Sequence, residues 1–150
     1  MTKCYPWHYK DRVCLMGDAA HAIVPFYGQG MNAGFEDCTY LNALLDEHHD
    51  DFASVLPEYT RLRKPAGDAI LQLALNNYIE MRDKTADREF LLQKRIEGRF
   101  SEKHPQLWKS LYEQVSFSHT PYQEALHNGH RQQKIMDRVM EMEDIETKWD

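Results

Sequence analysis

Residues 17–37 read Gly17-Asp18-Ala19-Ala20-His21-Ala22-Ile23-Val24-Pro25-Phe26-Tyr27-Gly28-Gln29-Gly30-Met31-Asn32-Ala33-Gly34-Phe35-Glu36-Asp37. Just before them, the polar turn Lys10-Asp11-Arg12 leads into Val13-Cys14-Leu15-Met16, an apolar run of strand length that Gly17 stops. Within and after them, Met31, Phe35, Cys38, Leu41 and Leu45 recur at spacings of four, three, three and four, the period of a helix. The pattern predicts a strand at about residues 13–16, a Gly-Asp turn, an apolar link through Pro25, and a helix over residues 30–47. Glycines at 28 and 30 let backbone approach a ligand with no side chain between. A helix opening at Gly30 turns free amides and the positive end of its dipole toward an anionic group, a stabilisation of about 0.3–1 kcal/mol. Asp18, just past the strand, is placed to accept hydrogen bonds from a ligand hydroxyl. Each feature also has a plainer reading: a tight turn for the glycines, a helix N-cap for Asp18, and a packed, hydrogen-bonded side chain rather than a metal ligand for His21.

Working outward, the remainder reads as helices over residues 52–63, 66–82, 87–102, 105–113 and 122–146, punctuated by Pro57, Pro65, Pro105 and Pro121. In the last of these, Ile135, Val139 and Met142 lie on one side and are expected to pack into the core. The fold class expected is mainly α, one short strand followed by several helices. Two regions are expected: 1–48, holding the strand and glycine-rich loop, and a helical region over 49–150. A lone strand has no ladder partner, so another chain is expected to complete the sheet unless the segment is exposed or rearranged.

Composition limits the partners. Eighteen Lys plus Arg against 24 Asp plus Glu give a formal charge of −6 over 150 residues, without the basic excess that a phosphate backbone requires. Nucleic acid is not expected. No apolar run approaches the roughly 20 residues of a bilayer span, and the residues around Met1-Thr2-Lys3-Cys4 carry no signal-peptide core, so a cytoplasmic location without membrane insertion is expected. Cys4, Cys14 and Cys38 are an odd set with no C-x-x-C spacing, which argues against a disulfide framework and a zinc knuckle.

As one string, Gly-Asp-Ala-Ala-His at 17–21, Pro25 and Gly28-x-Gly30-x-Asn32 resemble the second flavin-binding motif of the FAD-dependent aromatic hydroxylases. Agreement is nearest with the branch acting on L-kynurenine. Residues 25–38 and Arg61-Leu62-Arg63-Lys64-Pro65 run in register with it, and Asn77-Tyr78-Ile79-Glu80-Met81-Arg82 is its most distinctive string. The resemblance implies the α/β fold of that family, FAD as cofactor, NADPH as co-substrate, and hydroxylation of L-kynurenine to 3-hydroxykynurenine in tryptophan catabolism. It implies cofactor-binding roles for Gly17, Asp18, Pro25, Gly28, Gln29, Gly30, Met31 and Asn32. Among these, Asp18 would hold the ribityl chain, and residues 28–32 would face the pyrimidine end of the flavin. Substrate-binding roles are implied for Pro25, Phe26, Tyr27, Asn77, Met81 and Tyr112, with Asn77 and Tyr112 at the amino acid end and Pro25, Phe26 and Met81 at the ring. No catalytic side chain and no metal are implied, because the oxidant arises on the flavin.

Read from the residues alone, Asn77 and Met81 share a helix face, but Leu71, Leu75, Tyr78 and Met81 make an equally good core stripe. Tyr112 reads as a half-buried structural residue, and Glu80 and Arg82 as an ion pair. The resemblance starts near Cys4 and weakens after Tyr122. The family's pyrophosphate-cradling G-x-G-x-x-G is absent from this sequence, so the match is to a C-terminal portion, expected to be inactive alone. Its expected partners are L-kynurenine and the N-terminal FAD-binding portion, or a second copy of itself. The alternative is a stand-alone helical binding or oligomerisation module with a vestigial flavin motif.

Overall fold

The computed structural model describes residues 1–148, in which a short hairpin precedes seven helices: β1 (His8–Tyr9), β2 (Val13–Cys14), α1 (Asp18–His21), α2 (Gly30–Glu47), α3 (Phe52–Asp83), α4 (Arg88–Lys103), α5 (Leu111–Ser116), α6 (Tyr122–Met140) and α7 (Ile145–Lys148). Two compact units form, Met1–Leu75 and Asn76–Asp150.

The strand at 13–14 finds its ladder within the same chain, which corrects the expectation of a lone strand completed by another chain. His8 pairs with Cys14 and Tyr9 with Val13, antiparallel, and the Leu15 amide donates to the Trp7 carbonyl at 2.7 Å. The reversal runs through the polar turn, where Lys10 takes a left-handed φ of 51° and the Arg12 amide donates to the Tyr9 carbonyl. Beneath the hairpin, Trp7, Ala20, Leu44, Val55, Leu56 and Tyr59 form the core, with Cys4, Cys14, Leu15, Leu41, Leu45 and Leu62 packed on it. The Trp7 indole N–H, buried with its ring, donates to the Cys4 carbonyl at 3.0 Å.

Helix α2 spans the predicted residues and packs Leu41 and Leu45 of the predicted stripe on the core, but the stripe's N-terminal part is not buried. Ala33, Asp37 and Leu44 are inside, whereas Met31 is 69% and Phe35 63% exposed and Cys38 is exposed. Met31 and Ala33 lie about 200° apart around the helix, so the apolar stripe at its N-terminal end points outward. Sequence periodicity misplaced the face there because its buried position 37 is an ion-paired aspartate.

Helix α3 is continuous where two helices were expected. Pro57 and Pro65 lie inside it, each depriving the carbonyl four residues earlier of a donor. Residues 53, 57, 61 and 65 make one exposed stripe, so water can satisfy the freed Ala53 and Arg61 carbonyls. On the opposite side Val55, Leu56, Tyr59, Arg63, Ala66, Gly67, Ile70, Leu71 and Ala74 are buried, and that packing holds the helix through both prolines.

In the second unit, the Asp87 side chain caps α4 by accepting from the Glu89 amide at 2.9 Å. The expected helix over 105–113 is replaced by a turn, with the Leu107 and Trp108 amides donating to the His104 carbonyl. Helix α5 begins only at Leu111, because Ser110 caps it through the Glu113 amide, half of the Ser-x-x-Glu capping arrangement. Helix α6 stops at Met140 rather than continuing to 146, and Asp144 takes a left-handed φ of 58° before α7. Its buried residues are Tyr122, Ala125, Gln132 and Met136, while Ile135 and Met142 are exposed, opposite to the expected core face. Amides tie α5 and α6 together: the Gln114 and Gln132 side chains both donate to the Lys109 carbonyl at 2.8 Å. No helix among the described residues is long and apolar enough to cross a membrane.

Candidate functional site

Gly17 turns the chain at the end of β2 with a φ of 53°, and Gly28 has a φ of 68°, a region costly to any residue carrying a Cβ. Between them lie α1 and the link through Pro25, where the Phe26 amide donates to the Val24 carbonyl at 2.9 Å. Tyr27 and Gln29 are buried, and Pro25 and Gly28 are exposed. The Asn32 side-chain amide donates to Gln29 Oε1 at 2.9 Å, which stiffens the entry to α2.

The start of α2 is open in two senses. Its N-cap residue Gln29 makes no side-chain cap bond and no acid occupies the first turn, so the helix supplies no acceptor for its own leading amides. A Cβ built on Gly28 or Gly30 would meet no atom within 4 Å. Nearby, Asp18 is the first residue of α1 behind the N-cap Gly17. Its side chain is exposed, and as the first residue of α1, which has no side-chain cap bond, it is not the helix cap of the plainer reading. Gly17 and Gly34 lie against each other, with the ideal Cβ of Gly34 at 3.8 Å from the Gly17 Cα. The Gly-Asp turn therefore packs against the second turn of α2.

Behind that contact is a buried charged cluster. Asp37 is 0% exposed, and its carboxylate accepts from the Gly17 amide at 2.9 Å, from His21 Nε2 at 2.6 Å and from Arg63 Nε at 2.8 Å. Arg63, buried at 3%, also donates from Nη2 to the Ala33 carbonyl at 3.3 Å and to Glu36 at 3.0 Å, and it stacks on the Tyr40 ring. Burial pushes the Asp37 carboxyl up, but the bonds from His21, Arg63 and Gly17 outweigh it and hold it below the usual carboxylate range. Burial and the Asp37 charge push the Cys14 thiol up to about 11, and the same two causes drive the neighbouring Tyr59 phenol well above its ordinary value. His21 is packed and hydrogen-bonded. Its Nε2 bonds Asp37 at 2.6 Å, and its buried Nδ1 has no partner.

Sequence reasoning assigned no role to Asp37 or Arg63. The sequence offered little signal: Asp37 falls off the predicted apolar stripe, and Arg63 is 26 residues on, a pair that a lone sequence does not reveal.

The remaining candidate residues fall in the second unit. Asn77 is half-buried and Met81 is exposed on one face of α3. Tyr112 is exposed on α5, its ring edge-on to Phe117 at 5.8 Å. Arg82 binds the Asp83 carboxylate through Nε and Nη2 and lies over the Tyr78 ring, a surface ion pair.

A family profile described as an FAD binding domain matches residues 4–74. The chain is 53% identical over 148 residues to a kynurenine 3-monooxygenase of Flavobacterium psychrophilum, covering 99% of this chain and 33% of that protein. It is 54% identical over 147 residues to the kynurenine 3-monooxygenase of Flavobacterium johnsoniae, covering 98% and 33%. Against that of Anopheles gambiae it is 46% identical over 140 residues, covering 93% and 29%. The chain thus spans about a third of the length of the curated relatives it matches. Across that third, the sequence identity places it, as a segment, in the FAD-dependent aromatic hydroxylase family.

Proposed function

We propose that this chain is the C-terminal, flavin-facing portion of a monooxygenase that converts L-kynurenine to 3-hydroxykynurenine with FAD, NADPH and oxygen. The observation that carries the reading is the uncapped start of α2 behind Gly28 and Gly30, with Gly17, the residue before the exposed Asp18, packed against Gly34 of the same helix. An acceptor-rich ring edge fits against the leading amides of α2, with the helix dipole favouring negative charge there. A ribityl hydroxyl fits Asp18 as donor. When bound, FAD supplies the redox and oxygen-activating chemistry.

This chain's own residues bind and orient. Gly28 and Gly30 allow contact with backbone, and the Gln29–Asn32 bond holds that backbone in place. Asn77 and Tyr112 would bind the amino acid end of the substrate, and Pro25, Phe26, Tyr27 and Met81 its ring. No side chain of the segment is proposed to transfer a proton or form a bond to substrate. Alone, the segment lacks the pyrophosphate-binding loop and is expected to be inactive. Three free cysteines fit a reducing, cytoplasmic setting.

The test is reconstitution. Adding the chain to a separately produced N-terminal portion of such an enzyme should give L-kynurenine-stimulated NADPH oxidation with 3-hydroxykynurenine as product, and Asp18→Ala should weaken FAD retention by tenfold or more. A mixture that retains FAD but makes no product would overturn the substrate assignment. Failure of the mixture to retain FAD would favour the stand-alone binding module, a reading that the exposed apolar side chains Met31 and Phe35 also suit.

A further inference from the structure

We propose that Asp37 is the positioning residue of the flavin-facing segment, joining the Gly-Asp turn to the first turns of α2 through Gly17 and Arg63. The proposal rests on the cofactor reading above. Its grounds are where the three donors come from. Gly17 directly precedes Asp18, so the 2.9 Å bond from its amide to Asp37 sets where Asp18 leaves the backbone. Arg63 spans the other side, reaching Asp37 Oδ1 with Nε and the Ala33 carbonyl, next to Asn32, with Nη2. His21, at the end of α1, holds Oδ2 in place at 2.6 Å. One carboxylate therefore ties the end of β2, α1, α2 and α3 at the point where the two candidate cofactor-contacting stretches meet.

Stability alone is a poor explanation for this cluster. Burying an ion pair is commonly no better than burying apolar side chains of the same volume, so the arrangement that this pair fixes is the better account of it. The hydrophobic core of Trp7, Ala20, Leu44, Val55, Leu56 and Tyr59 borders the cluster, with the Trp7 ring 5.2 Å from that of His21. Packing supports the arrangement: a Cβ on Gly67 of α3 would come within 2.7 Å of Trp7 and 3.3 Å of His21, so α3 packs closely against the His21 ring. Asp37, buried behind both stretches, acts through its bonds to Gly17 and Arg63.

The experiment compares the full chain with Asp37→Asn, Arg63→Lys and a core control, Leu73→Ala, by residue-resolved amide exchange and by titration with riboflavin. Asp37→Asn should reduce protection of the Gly17, Ala33 and Gly34 amides at least tenfold more than that of Ile70, whereas Leu73→Ala should lower all of them together. Arg63→Lys keeps a cation beside Asp37 but cannot also reach Ala33 and Glu36. It should preserve Gly17 protection within about threefold and lose tenfold or more at Ala33 and Gly34, a split that general loosening does not produce. Riboflavin affinity should fall at least tenfold in Asp37→Asn and less than threefold in Leu73→Ala. If Asp37→Asn does not fold, Arg63→Lys decides by that same split. Uniform loss of protection in both cluster variants, or unchanged riboflavin affinity with local protection lost, overturns the proposal. A parent chain that binds no riboflavin instead counts against the cofactor reading, and the exchange pattern still decides whether Asp37 organises the two stretches.

Discussion

Asp37 carries the largest expected residue-scale effect. Its carboxyl titrates below its ordinary value of 3.8 in the folded chain, so the folded state binds fewer protons there than the unfolded state. The stability this contributes is present in full above that ordinary value and is lost as pH falls through the lower folded value. Asp37→Asn leaves Arg63 buried without its main partner, which is expected to cost about 3–5 kcal/mol. Urea unfolding at several pH values should show that penalty near pH 7 and its shrinkage below pH 4, where the parent loses the same interaction. An equal penalty at pH 3 and pH 7 would show that the Asp37 charge is not what holds the cluster. The sequence allowed the glycines at 17 and 28 to be read directly, because positive φ and close approach select glycine. It did not reveal that Gly17 is held by Asp37, since a bond across 20 residues leaves no local pattern.

Among the elements, α2 was legible in extent and misread in the orientation of its N-terminal part. Its limits follow from helical spacing, but its inner face depends on which charged side chain finds a partner. Helix α3 was read as two because an interior proline costs about 3 kcal/mol in isolation. Tertiary burial on the far side and exposure of the proline stripe reverse that expectation. The close approach around Gly67 is a feature of this helix that can be tested. Gly67→Ala places a methyl within 2.7 Å of Trp7, where the indole is enclosed and hydrogen-bonded to Cys4. It should destabilise by about 1–3 kcal/mol, as overpacked cores do, despite alanine's better helix propensity. Thermal melts followed by near-ultraviolet circular dichroism check this, and an unchanged or raised Tm would mean that Trp7 has room to move. In the second unit, the ends of α5 and α6 were missed because a serine cap and a left-handed aspartate leave apolar periodicity unchanged.

At the scale of the whole chain, the two units divide the candidate residues. Gly17 to Asn32 lie in Met1–Leu75, and Asn77, Met81 and Tyr112 lie in Asn76–Asp150. The candidate cofactor residues include glycine turns and a helix start, which leave backbone signatures in the sequence, although their cofactor roles came from family resemblance. The substrate side rests on side chains that are also good surface or core residues, and it was legible only through family resemblance. The central claim is that residues 17–32 form a preorganised surface for the isoalloxazine and ribityl half of FAD. Nitrogen-15 NMR of the labelled chain titrated with FAD, riboflavin and ADP tests it most directly, since it detects weak binding and locates it. The account predicts that FAD and riboflavin shift the same amides, those of Gly17, Asp18 and Gly28 to Asn32, and that ADP leaves them unmoved. Shifts confined to other residues, or none at millimolar riboflavin, would contradict it.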